Sequence, residues 1–177
     1  LSVARNIEIK ARITSVAALL PRARALADGD AVLIAQDDSF YAVPHGRLKL
    51  RRYGDGSAHL VHYHRADQAE AKASDYVLVD LPDADALDLA LARGCGRLGR
   101  VRKQRLLLLV GQTRIHLDHV DGLGDFMELE VVLRDGQSDA EGQAIADALM
   151  QALGLDDAPR IAGAYRDLLA QQQADTA

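Results

Sequence analysis

Five segments of this chain place ionised side chains at alternate positions with aliphatic residues between them, a period that only extended strands present as two distinct faces. Residues 3–13 (VARNIEIKARI) put Ile7, Ile9, Ala11 and Ile13 on one face and Asn6, Glu8, Lys10 and Arg12 on the other. The LKLRR segment adds Lys49 and Arg51, VRKQR adds Lys103 and Arg105, and RIHLD adds Arg114, His116 and Asp118. MELEV adds Glu128 and Glu130, with Met127, Leu129 and Val131 opposite. A sheet with one face in water also alternates, but its wet face usually mixes small neutral residues with the charges. Here Ser and Thr are almost missing from the charged faces, and helices elsewhere in the chain are available to cover the apolar ones. The charged faces are therefore expected to point inward.

Such a lining repels itself: a like-charged pair at ~4 Å and an effective dielectric near 20 costs about 4 kcal/mol. It makes sense when it awaits a multiply charged anion, and a polyphosphate chain fits best. Glu8, Asp118, Glu128 and Glu130 supply the hard oxygen ligands that Mg²⁺ or Mn²⁺ needs when it bridges phosphate oxygens.

The remaining elements follow from period and punctuation. A helix is expected from Thr14 or Ser15 to near Asp28-Gly29, with Pro21 inside it. Short strands are expected at 31–35, 39–43, 47–52, 59–65 and 76–80, with turns at Asp37-Asp38, Pro44-His45-Gly46 and Gly54-Asp55-Gly56. A helix over 83–93 closes at Gly94, and long strands follow over 99–110, 113–120 and 125–134. Ser138 and Glu141 spell a capping box that opens a helix to Leu153, stopped by Gly154. A last helix is expected from Pro159 to Ala170, before a polar tail. About eight strands joined by short turns give an α+β fold: an eight-stranded antiparallel β-barrel with helices packed on its outside, in a single domain with its core over residues 3–170.

Composition narrows the partners. The net charge of −5 and only two Phe and five Tyr, with no Trp, argue against nucleic acid. No apolar run approaches the ~20 residues of a membrane helix, and the N-terminus has no signal-peptide pattern. One cysteine, Cys95, rules out an internal disulfide and fits a reducing cytoplasm. The amphipathic stripe Ile161, Ala164, Tyr165 and Leu168 in the last helix packs on the barrel or pairs two copies as a homodimer.

At this point the motifs become recognisable. Asn6-Ile7-Glu8-Ile9-Lys10, QDDSFY (36–41), GRLKLR (46–51), HYHRADQAEAKASDY (62–76), VRKQR (101–105) and TRIHLDHVDGLGDFMELE (113–130) follow one another in a familiar order. The chain resembles the CYTH superfamily of triphosphate tunnel enzymes, and within it the class IV adenylyl cyclase-like branch. That resemblance implies a tunnel of eight antiparallel strands. It also implies a triphosphate held by Lys10, Lys49, Arg51, Arg65, Lys103, Arg105 and Arg114, and one or two divalent ions on Glu8, Glu128 and Glu130, with Asp118 as a further candidate. Arg12 and His116 are substrate-binding candidates from their place on the charged faces. Lys72 matches a lysine that reaches the tunnel in this branch; among so many cations, Lys72 or Lys10 is a candidate general base. One departure stands out: the opening motif of the family is Glu-x-Glu-x-Lys, and its first position here is Asn6, one negative charge fewer.

Two further signals carry less. Gly94-Cys95-Gly96-Arg97-Leu98-Gly99 spells GxGxxG, but with a helix before it and a strand after it, the reverse of a dinucleotide site. His62 and His64 share a strand face while His59 lies opposite; a zinc site would need one or two more ligands at hand, so ordinary strand histidines are expected. Three function classes remain: a cyclase converting ATP to cyclic AMP and pyrophosphate, a triphosphatase acting on inorganic triphosphate, thiamine triphosphate or a nucleotide, and a non-catalytic triphosphate binder. A carrier of apolar ligands disagrees with the charged lining.

Overall fold

Strand β1 (Ala4–Arg12) pairs on one side with β5 (Lys72–Asp80) and on the other with β8 (Gly124–Val132), and so closes the sheet on itself. Between them run β2 (Val32–Tyr41), β3 (Arg47–Tyr53), β4 (Ala58–Arg65), β6 (Arg97–Val110) and β7 (Thr113–Val120), in the spatial order β1-β5-β4-β3-β2-β6-β7-β8. All neighbours are antiparallel. The computed structural model describes residues 4–65 and 72–176, with side chains described for 5–64 and 76–175.

Helices α1 (Val16–Leu26) and α3 (Asp139–Leu153) lie outside and cover the apolar faces of β1 and β6–β8. Ile7, Ile9 and Ala11 meet Leu19 and Ala23 of α1 and Ala146, Met150 and Leu153 of α3, together with Leu108, Ile115, Leu117, Met127, Leu129 and Val131. Each of the larger side chains contributes about 1.5–3 kcal/mol on burial. The main hydrophobic core therefore sits between barrel and helices, which turns the alternate, charged faces inward as the pattern required.

Local chemistry sets the helix limits. Ser15 caps α1, and Ser138 with Glu141 forms the full capping box of α3. Gly154 ends α3 in the left-handed conformation at φ 68°. Gly142 faces β1 so closely that an added Cβ would stand 2.5 Å from Leu133 Cδ2 and 2.7 Å from Ile7 Cγ1.

Three expectations are corrected. Asp37-Asp38 is not a turn but the middle of one continuous ten-residue strand, β2. Asp38 points inward to Lys49 and Arg51 while Asp37 points outward to Arg100 and Arg102, so cross-strand cations outweigh the turn tendency of the pair. The last helix, α4 (Tyr165–Thr176), starts six residues later than Pro159. The segment before it is instead pulled onto β1: Arg12 N–H donates to Pro159 O at 3.3 Å and Ile161 N–H to Lys10 O at 2.9 Å. Helix α2 (Ala84–Gly94) closes one residue beyond Gly94, with Cys95 as its C-cap, and Gly96 takes the positive φ of 82°.

The end of the barrel where β1 finishes and β8 begins is its base. Phe40, Val101, Val120, Phe126 and Tyr165 form a second buried apolar cluster there, with Leu123, Ile161, Leu168 and Leu169 against it. The opposite end is the mouth.

Candidate functional site

Above that base the barrel encloses a cavity of about 330 Å³, lined by charged, polar and aromatic side chains from all eight strands and by Ala164 and Tyr165. Alternation on β1 sends Asn6, Glu8 and Lys10 into it; β3 sends Lys49 and Arg51, β6 Lys103 and Arg105, β7 Arg114 and His116, and β8 Glu128 and Glu130. Side chains of these types at these positions give one wall of cations and one wall of acids.

Two buried aspartates balance the cations. Asp38 on β2 accepts from Arg51 Nε at 2.7 Å and Nη2 at 2.6 Å, and lies 3.1 Å from Lys49 Nζ. Asp118 on β7 accepts from Arg105 Nε and Nη2 at 2.7 Å each, from Lys103 at 3.2 Å and from the Tyr165 hydroxyl at 3.0 Å. Burial opposes ionisation of both carboxyls, but these cations outweigh it and hold them well below the usual carboxylate range. Burial and the neighbouring guanidiniums act the other way on the lysines: Lys103 is lowered to about 7 and Lys49 to about 8. His116 is held well below its ordinary value by burial and by Arg105.

The acids gather where β1 meets β8. Glu8 faces Glu130 in the ladder and Lys10 faces Glu128. Glu128 Oε2 lies 3.9 Å from Lys10 Nζ and 3.4 Å from Arg105 Nη2, and Glu130 Oε2 accepts from Arg114 Nη1 at 3.0 Å. Burial raises the Glu128 carboxyl, yet Lys10, Arg105, Lys103 and a hydrogen bond with Glu8 leave it well below its usual range. Asn6 Nδ2 donates to Glu130 Oε1, while Asn6 Oδ1 is buried with no hydrogen-bond partner.

Most sequence candidates thus come together, but Arg12 and Asp118 do not line the cavity. Arg12 leaves it, donating to Leu123 O at 2.8 Å with its guanidinium 4.7 Å from the Phe126 ring centre. Asp118 lies fully buried behind Lys103 and Arg105, its oxygens committed to four donors rather than open to a metal. Arg65 and Lys72 belong to β4 and β5 by backbone, but their side chains lie outside the described residues.

The sequence reading missed Asp38, Gln36 and Tyr165. The first two were legible only as alternate residues of an unbroken β2, which a turn at Asp37-Asp38 conceals. Nothing local marks Tyr165, because an irregular segment rather than a helix delivers it.

The model of the CYTH domain matches residues 4–165. The chain belongs to the CYTH domain family. The CYTH fold binds triphosphate substrates, and the family is generally metal-dependent. Among solved structures, a protein of Pyrococcus horikoshii superposes with a TM-score of 0.81 at 21% identity over 92% of this chain and 98% of that one. A conserved hypothetical protein of Pyrococcus furiosus gives 0.80 at 20% over 92% and 99%. A candidate adenylate cyclase from Vibrio parahaemolyticus gives 0.75 at 22% over 93% and 97%. At these identities the likeness is one of fold. No curated protein sequence matches the chain.

The cavity presents carboxylate and amide oxygens as donors for a divalent ion. Among the described residues no three His, Cys, Asp or Glu side chains converge as a ready-made cluster. The donor chemistry nonetheless fits. Glu8, Glu128, Glu130 and the unpartnered Asn6 Oδ1 are hard oxygens on two adjacent strands facing one cavity.

Proposed function

We propose that this CYTH protein is a metal-dependent enzyme that binds an organic triphosphate in the cavity and converts ATP to cyclic AMP and pyrophosphate. The observation that carries the organic substrate is the division of the cavity. Its deeper part is walled by Lys10, Lys49, Arg51, Lys103 and Arg105, whereas Ile34, Tyr53, Leu78 and Leu107 line the strand ends at the mouth. A bare inorganic polyphosphate has no use for an apolar rim; a nucleoside has.

In this reading the cations hold the phosphate chain, terminal phosphate innermost, and Arg114 at the rim meets the phosphate nearest the sugar. Glu8, Glu128 and Glu130, with Asn6 Oδ1, would hold Mg²⁺ or Mn²⁺, which when bound neutralises charge on the phosphate oxygens. The 3′-oxygen attacks the α-phosphorus, the bond from that phosphorus to the bridging oxygen of the β-phosphate breaks, and pyrophosphate leaves. The 3′-hydroxyl proton passes to Lys72, which faces Glu8 in the β1–β5 ladder at the level of Arg114, whereas Lys10 stays with the terminal phosphate at the inner end.

Phosphorus NMR of the protein with ATP, inorganic triphosphate or thiamine triphosphate, each with Mg²⁺ or Mn²⁺, tests this directly. Cyclic AMP with pyrophosphate is the expected product. Orthophosphate release would make the enzyme a triphosphatase, and metal-dependent binding without turnover would make it a binder. Lys49→Ala with Arg51→Ala should weaken triphosphate binding at least about 100-fold, since each removes a charge-assisted contact of 1.5–3 kcal/mol. Unchanged affinity would refute the assignment.

A further inference from the structure

The base of the barrel carries a consequence for which substrates the cavity accepts. A through-going channel would let a phosphate chain of any length slide past the cations. Here the apolar cluster of Phe40, Val101, Val120, Phe126 and Tyr165 packs across that end among the described residues, and Phe40, Val101 and Tyr165 line the cavity. Tyr165 forms its floor. It is 6% exposed, its ring packs on Phe126 with centres 4.9 Å apart, and its hydroxyl donates to Asp118 at 3.0 Å.

The innermost cations stand on this ring. Lys10 Nζ is 4.4 Å and Lys103 Nζ 5.0 Å from its centre, and Lys10 also donates to Gly163 O at 3.4 Å. Gly163, at φ 80°, turns the chain so that the next two residues, Ala164 and Tyr165, enter the barrel. Against Lys10 and Lys103 the Tyr165 ring packs on Phe126, and a charged phosphate pushed into that packing would lose its hydration without gaining a partner.

We propose that Tyr165 sets the length of the phosphate chain this protein accepts, seating the terminal phosphate of a triphosphate over its ring and rejecting longer chains. This rests on the triphosphate reading above and deepens it: Tyr165 touches the substrate as a specificity residue and takes no part in the chemistry. Because the floor acts by shape, the hydroxyl is dispensable for the limit while the ring is not.

The test is calorimetric binding of inorganic tripolyphosphate and tetrapolyphosphate, each with and without Mg²⁺, to the full chain and to Tyr165→Phe and Tyr165→Ala. Wild type is expected to prefer tripolyphosphate by at least about tenfold. Tyr165→Phe keeps that preference, and Tyr165→Ala brings the two ligands to within about threefold. Equal affinity of wild type for the two chains overturns the floor while leaving the triphosphate reading intact, and a preference unchanged in a folded Tyr165→Ala overturns the role of this residue. Failure of wild type to bind either ligand sinks the triphosphate reading itself. If Tyr165→Ala does not fold, the wild-type ratio and a loss of preference in Tyr165→Phe each still decide against the proposal.

Discussion

Arg105 forks both Nε and Nη2 onto the two carboxylate oxygens of Asp118, at 2.7 Å each, with the aspartate fully buried. The same oxygens also take Lys103 and Tyr165. The self-repulsion of a cationic cavity is thereby relieved from behind its wall, and the cation faces remain turned toward the ligand.

Asp118→Asn should accordingly destabilise the protein by about 3–5 kcal/mol, the usual effect of stranding a buried partner charge. Urea unfolding at neutral pH measures it. A loss below 1 kcal/mol would show that the wall does not depend on this counter-ion. Because the folded carboxyls of Asp38 and Asp118 are depressed, their contribution is full above an unfolded pKa of about 3.9 and is lost as pH falls below it.

The lysines change stability in the same direction, over a higher pH window. Unfolded, each binds its proton up to about 10.4, whereas folded Lys103 and Lys49 release theirs near 7 and 8. The unfolded state binds more protons across that window, so stability should rise with pH from about 7 toward 10 through these two groups. A polyphosphate in the cavity restores the charge, so binding at pH 8.5 should take up protons. Calorimetry in buffers of different ionisation heat measures the uptake, and Lys103→Met should reduce it. Proton release on binding would contradict the assignment.

Asn6→Glu restores the acidic opening of the family motif and sets a second carboxylate against Glu130, which Asn6 now contacts as a donor. In metal-free buffer this variant should unfold at a lower temperature than wild type, and Mn²⁺ should raise its midpoint more than that of wild type. Differential scanning fluorimetry with and without Mn²⁺ reads both. Equal shifts would remove Asn6 from the metal-facing set.

Gly142→Ala sets two effects against each other. Helix propensity favours Ala by about 1 kcal/mol, but a Cβ 2.5 Å from Leu133 and 2.7 Å from Ile7 forces α3 away from β1, and overpacking of this kind costs 1–3 kcal/mol. Net destabilisation is expected on urea unfolding. A more stable variant would mean that α3 shifts freely on the barrel.

Strand alternation by itself determined that Glu8 and Lys10, Lys49 and Arg51, Lys103 and Arg105, and Glu128 and Glu130 each share a face of their own strand, because a period of two is a property of each strand alone. The capping box at Ser138 and the stop at Gly154 were equally local, set by which side chains reach the first N–H groups of a helix and which residue tolerates a positive φ. Tertiary structure decided the rest. Asp37-Asp38 is strand because Arg51, Lys49, Arg100 and Arg102 come from strands distant in sequence. Arg12 leaves the cavity because the turn before β8 offers it the Leu123 carbonyl. Tyr165 reaches the cavity because residues 159–161 bond to β1 and hold the chain out of a helix. Each of these depends on a partner far along the chain, and pairings between distant segments leave no period within either one.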